Sequence, residues 1–414
     1  MSAPAIAIVG AGPAGMFTAQ ALRRALPDAA IDVIDRLPVP FGLLRYGVAP
    51  DHQGTKAIAR QFERLFERED VRFCGGVEIG HDIALEDLRK AYGVVVLAAG
   101  LAGDRRLGIP GDDLPGVLGS GHVTRWINDH PGAADNAPEF GSRIAIVGNG
   151  NVALDLARVL AKSGDEFSGS DLSPTIQARI AAACIEEITV IGRGTAQAAR
   201  FDAALLKELA RLGEAHVRVE MPAATGSETP VLAAFREIDG KGAALGAARR
   251  RLRFRFALTP VRIEPTGGTL ALHLAPTDGA GAHEALMVDT IITAIGFESG
   301  ASALPRDAFA PRDGALAPRL APGLYAAGWF RRGPRGTIPD NRAEAKDVAD
   351  RIVADSAAGV IPDATGRRPA ALATAVSYAG WIAIRDHETA TAPPGRVRLK
   401  CPTIAAMRAI AAGA

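Results

Sequence analysis

Short runs of apolar, mostly β-branched residues punctuate the chain at residues 5–9, 31–34, 94–98, 144–147, 188–191 and 290–295. Runs that stay apolar instead of alternating predict strands buried on both faces, as in a parallel sheet covered by helices. After the fourth run Val152, Leu156, Val159 and Leu160 fall at i, i+4, i+7 and i+8, the spacing of one buried helix face. Between roughly 225 and 285 the rhythm shifts to alternation, as in Leu252-Arg-Phe-Arg-Phe-Ala257, and predicts an antiparallel excursion. From Gly323 the pattern returns to a strand, a Gly/Arg-rich loop and a helix over about 343–354. Prolines then punctuate 362–369 and 393–394, and the C-terminal tail carries no clear pattern.

One segment occurs twice. Ala5-Ile-Ala-Ile-Val-Gly-Ala-Gly-Pro-Ala-Gly15 and Arg143-Ile-Ala-Ile-Val-Gly-Asn-Gly-Asn-Val-Ala153 each read as strand, glycine-rich turn and helix. That is the opening unit of a dinucleotide-binding fold. The expected fold class is therefore α/β with two Rossmann-like domains, the second inserted into the first. Residues 1–105 and 320–414 are expected to form one domain, and residues 106–319 the other. A length of 414 residues accommodates both.

Composition narrows the partners. With 47 Lys+Arg against 46 Asp+Glu the net charge is +1, so no global field favours nucleic acid or an anionic membrane. Cys74, Cys184 and Cys401 form no CxxC pair, which speaks against a redox dithiol, a zinc ribbon or an iron–sulfur cluster held by this chain, so no metal site is expected. The apolar stretch 5–17 lacks a preceding Lys or Arg and carries the glycine turn, unlike a signal peptide. The later apolar run 93–103 is short of the ~20 residues of a spanning helix. A cytoplasmic protein without membrane insertion is the expectation.

The turns carry the candidate chemistry. In the first, Gly10, Gly12 and Gly15 allow a tight turn, close approach to a pyrophosphate and helix-on-strand packing, while the helix N-terminus offers N–H donors. Asp35, 20 residues after Gly15, ends the next run where a carboxylate can hold a ribose hydroxyl. In the second, Gly148 and Gly150 are followed by Ala153, and the next run leads into Arg193. A cation there suits a 2′-phosphate; a solvated arginine after a strand is the plainer alternative. Hydride transfer between a nicotinamide and a flavin would give two dinucleotide sites distinct tasks.

Longer stretches carry a resemblance. Asp35-Arg-Leu-Pro-Val-Pro-Phe-Gly-Leu-Leu-Arg-Tyr-Gly-Val-Ala-Pro-Asp-His52, residues 108–117, Gly148-Asn-Gly-Asn-Val-Ala-Leu-Asp155 and Gly328-Trp-Phe-Arg-Arg-Gly-Pro-Arg-Gly336 resemble, in order, the signatures of the adrenodoxin reductase family of FAD-containing ferredoxin–NADP(+) reductases. For FAD the resemblance implies Gly10, Gly12, Ala14, Gly15, Asp35, Leu43, Ile79, Trp329 and the backbone of Gly336, Thr337 and Ile338. For NADP it implies Asn149, Gly150, Asn151, Val152 and Arg193, with Gly148 opening the turn. His52, Asp155 and Glu208 match catalytic positions beside the nicotinamide, although alone each reads as an ordinary polar residue.

The implied activity is hydride transfer from NADPH to FAD, then one-electron delivery to an acidic ferredoxin-type iron–sulfur protein. Another acceptor, or a non-catalytic flavin/nicotinamide sensor, is the alternative. The chain departs from its relatives at Gly194, where the family has a second arginine, and at Leu205, where it has a cofactor-contacting Glu. Arg249, Arg250, Arg251 and Arg253, with Arg331, Arg332 and Arg335, are the expected docking cations; a solvated charge run is the alternative for the first four.

Overall fold

The computed structural model describes residues 4–221, 228–300, 303–309 and 315–413. Two six-stranded sheets form its frame. The first runs 319–321, 324–326, 94–97, 6–9, 31–35, 71–75, with only the 319–321 edge antiparallel. The second runs 117–119, 290–293, 143–147, 187–191, 250–255, 215–220 and is parallel throughout. Thus the strands of the first sheet come from both ends of the chain, and those of the second from the stretch between.

Their central strands are the continuous apolar runs, and they are buried on both faces: Ile6–Val9, Val94–Leu97 and Thr290–Thr293 are buried throughout. Helix Pro13–Ala25 packs on the first sheet and against helix Asp340–Ala357. The chain passes between the sheets twice, at Gly103–Asp104 and Phe297–Glu298, and these passages pair as an antiparallel ribbon. Gly103 and Gly300 touch there, since a Cβ on Gly103 would lie 2.7 Å from the Gly300 Cα.

The antiparallel excursion is a three-stranded meander over Leu258–Thr266, Thr269–Pro276 and Glu284–Val288, seated on the second sheet through Ile263, Leu272 and Leu274. The alternating segment that suggested it is itself a parallel strand, Arg250–Arg255. Leu252 and Phe254 are buried, and Phe254 meets Phe235 of helix Pro230–Ile238 at 5.4 Å. The opposite face is a charge ladder, Arg251 and Arg253 both reaching Glu187 at 3.2 Å and Arg253 reaching Glu220 at 2.6 Å. Alternation here reports one apolar and one ion-paired face, which a parallel strand can also have.

The patternless tail forms helices Tyr378–Ala390 and Ile404–Ala412, and the segment between them crosses to the second unit. Gly169 N–H donates to the Gly395 carbonyl (2.8 Å) and Val397 N–H to the Ser170 carbonyl (3.0 Å). Beneath this strap Arg45 pairs with Glu388 at 2.5 Å, while Lys56 and Lys400 share Asp171 at 2.8 and 3.2 Å, all five buried. Burial and the neighbouring Lys400 push Lys56 down to about 7, against the pull of Asp171. Among the described residues no helix is long and apolar enough to cross a membrane.

Candidate functional site

The first glycine turn lies at the C-terminal edge of the first sheet, where open α/β sheets bind ligands. Gly10 has φ +108°, and a Cβ there would overlap the Ala98 carbonyl. A Cβ on Gly12, by contrast, would find only the Gly42 Cα at 4.0 Å. This leaves an open cradle over the start of helix Pro13–Ala25, whose first-turn amides have no intrahelical partner. The residues fit a dinucleotide pyrophosphate.

Asp35 braces this cradle. Its Oδ2 accepts the Ala11 N–H at 2.8 Å and its Oδ1 the Leu37 N–H at 2.9 Å. Burial raises its carboxyl pKa, opposed by these two bonds. Each oxygen has a second lone pair for a hydroxyl donor.

The other expected FAD residues sort into four groups. Leu43 is 40% exposed at the start of the short helix Leu43–Tyr46, an apolar side chain open to a ligand. Gly328 packs so closely on Ala14 that a Cβ would overlap it, which brings Trp329 to the glycine turn, stacked on Phe297 at 5.3 Å. Ile79 is 3% exposed and lies in an apolar cluster with Val77 and Ile83. Thr337 N–H is already donated to Asp340 Oδ2 at 2.5 Å, so of the three amides expected to face a flavin only those of Gly336 and Ile338 lack a bond among the described residues.

The second turn repeats the geometry. Gly148 has φ +152°, with the Ala294 carbonyl where a Cβ would stand, and Gly150 has nothing within 4 Å of its added Cβ. Asn149 lies against Gly192, and its Oδ1 is buried without a hydrogen-bond partner. An orphaned acceptor beside an open helix N-terminus fits a ligand that brings a donor. Asn151 Oδ1 accepts the Asp202 N–H at 2.7 Å, while Val152, half-buried, packs against the core of the second unit.

Arg193 is exposed and has no ion pair among the described residues. Arg200, which the spacing did not single out, donates its N–H to the Asn149 carbonyl at 2.8 Å and is also exposed, without an ion pair among the described residues. Nothing in the spacing signalled it, because the contact arises from the chain folding back over the turn.

Where the first unit meets the second, His52, Asp155 and Glu208 come together. His52 Nδ1 lies 3.4 Å from Asp155 Oδ1, and its Nε2 lies 3.3 Å from Glu208 Oε2. His52 stands on the loop after Leu43–Tyr46, Asp155 on helix Asn151–Ala161 and Glu208 at the end of helix Ala203–Glu208. Burial raises the Asp155 pKa, opposed by His52 and Arg158.

Three more residues complete the cluster. Arg158 grips Asp51 through both terminal guanidinium nitrogens and reaches Asp155 at 3.1 Å; Lys162 reaches Asp51 at 2.6 Å. Burial raises the Asp51 carboxyl, but Arg158 and Lys162 overcome it and hold the group well below the usual carboxylate range. The i,i+3 spacing from Asp155 to Arg158 was a readable signal; their meeting with Asp51 was not.

The expected docking cations are mostly engaged internally. Arg250 is buried and donates to the carbonyls of Ala161 and Lys162, and Arg331 and Arg332 both bind Glu344. Arg249 and Arg335 are exposed, without ion pairs among the described residues.

Two glycine turns on two sheets, with a polar cluster at their seam, define a two-dinucleotide oxidoreductase. The chain belongs to the pyridine nucleotide-disulphide oxidoreductase family, which it matches over residues 4–335. It is 45% identical to the cindoxin reductase of Citrobacter braakii over 98% of this chain and 90% of that protein. It is 31% identical to the mitochondrial NADPH:adrenodoxin oxidoreductase of Salvelinus fontinalis over 94% of this chain and 87% of that one, in line with the sequence resemblance. The structure of Mycobacterium tuberculosis FprA in complex with NADPH superposes with a TM-score of 0.86 at 30% identity, covering 99% and 100% of the two chains. The cysteines of this member are free and scattered, Cys74 and Cys401 buried and Cys184 exposed.

Proposed function

We propose that this chain is an FAD-dependent reductase that takes a hydride from NADPH and passes single electrons to a ferredoxin-type redox protein. The observation that carries the reading is the His52–Asp155–Glu208 cluster at the seam of two open pyrophosphate cradles. Residues 1–105 and 320–414 serve FAD and residues 106–319 serve NADP.

When bound, FAD supplies the conversion of one hydride into two single-electron deliveries. The chain's own residues prepare for it. Gly12 and Gly150 leave room for the two pyrophosphates, and Asp35 and Arg193 meet the ribose hydroxyl and the 2′-phosphate. His52 Nε2 and Glu208 Oε2 hold a proton between them at the seam. Asp155, on the other ring nitrogen, favours the orientation in which Nε2 faces Glu208.

The partner is the part that varies among relatives: the one at 45% identity is named for cindoxin, those near 30% for ferredoxin or adrenodoxin. Its acidic character rests on exposed cations such as Arg335 beside the flavin-side loop. Three unpaired cysteines suit a reducing, cytoplasmic setting.

The test is direct. The purified protein should be yellow, with about one FAD and no iron per chain, and NADPH should bleach the flavin in an anaerobic stopped-flow trace. A reduced ferredoxin should appear on mixing. Protein that binds flavin yet is not bleached would favour a sensor and sink the reductase reading.

A further inference from the structure

Arg158 is 1% exposed on helix Asn151–Ala161, in a place where a buried cation needs partners. Its two terminal nitrogens hold both oxygens of Asp51, the residue immediately before His52. Nη2 also reaches Asp155 Oδ1 at 3.1 Å and lies 3.5 Å from His52 Nδ1. Nε has no hydrogen-bond partner and sits 3.6 Å from Glu208 Oε2. One guanidinium therefore touches the ring and faces every carboxylate around it. Asp51 and His52 come from the first unit, the rest from the second, and Lys162 adds a second grip on Asp51.

We infer that Arg158 is a positioning residue for the proposed reaction: it pins Asp51 across the seam and thereby fixes the His52 ring between Asp155 and Glu208. The inference rests on reading that cluster as the nicotinamide-side polar set. A planar fork suits the task because it fixes direction as well as charge, which an ammonium does not. The cation also offsets Asp51, Asp155 and Glu208. Without it Asp155 and Glu208 would flank the imidazole and Asp51 would keep only Lys162 as counter-ion, an arrangement that favours positive charge at the seam.

The experiment uses the FAD-loaded protein and measures flavin reduction by NADPH against pH. Arg158→Gln should slow reduction by about 10- to 100-fold, the scale of a small misplacement of a reacting group, and shift the His52-dependent limb to higher pH. Arg158→Lys should leave that limb in place and recover part of the rate. Asp51→Asn, which keeps Arg158 but loosens its grip, should slow reduction with FAD still bound. His52→Ala separates the two readings. If it reduces flavin normally, the cluster is not the nicotinamide-side set and both fall. If it is slow while Arg158→Gln matches the unmodified rate and profile, only the positioning role is overturned. A rate loss in Arg158→Gln that merely tracks lost flavin or lower thermal stability, with the pH limb unmoved, likewise overturns it.

Discussion

The two glycine turns share a backbone device and differ at the end of the neighbouring strand. Around Gly10–Gly15, Asp35 closes the strand and is bound to the Ala11 and Leu37 amides. Around Gly148–Ala153, Arg193 stands there, exposed and without an ion pair among the described residues. The first acidic end is thus part of the scaffold, while the second basic end is available to a ligand. The same fold unit can be tuned for two nucleotides by the sign and engagement of one side chain.

The largest expected effect comes from filling one cradle at a time. Gly12 has ordinary φ of −75° and open space above it, so Gly12→Val should fold yet weaken FAD by about 5- to 150-fold, the 1–3 kcal/mol of an overpacked contact. Gly150→Val should keep its flavin and lose NADPH affinity by a similar factor. Flavin absorbance per protein and NADPH titration check both; loss of FAD from the Gly150 variant would break the assignment of the turns.

Cofactor preference should respond on a similar scale. One charge-assisted bond from Arg193, at about 1.5–3 kcal/mol, corresponds to roughly 10- to 150-fold selectivity for NADPH over NADH. Arg193→Ala should erase most of it. Gly194→Arg should increase it, since a Cβ at Gly194 meets only the Ala198 Cβ at 3.6 Å. Values of kcat/KM for both nucleotides decide, and equal values in the unmodified protein would remove Arg193 from the site.

Stability should separate the same two residues. Asp35→Ala strands the Ala11 and Leu37 amides and should cost about 1–3 kcal/mol in denaturant unfolding. Arg193→Ala should stay within about 0.5 kcal/mol. A destabilised Arg193 variant would mean that the second strand end is scaffold as well.

The smallest effect concerns docking. Arg251 is tied to Glu187, so Arg251→Ala should change partner reduction less than about threefold. Charge reversal at exposed Arg335 should slow it further as salt is lowered, because an unpaired charge is screened over ~8–10 Å at 0.1–0.15 M salt. Initial rates across a salt series distinguish the two.

Local sequence determined the paired strand–turn–helix units. A glycine turn with φ of +108° at Gly10 and a buried strand are each specified within a few residues, by sterics and by burial on both faces. The same local logic misread 250–255, where alternation looks alike whether the polar face meets water or a row of glutamates. Tertiary structure alone decided that Arg331 and Arg332 are bound by Glu344, that Thr337 N–H is taken by Asp340, and that residues 395–401 strap the two units together. It also brought Asp51 to Arg158 across 107 positions of sequence. Such pairings depend on which surfaces the folded sheets bring together, and a charged side chain carries no record in its own neighbourhood of the distant partner that will neutralise it.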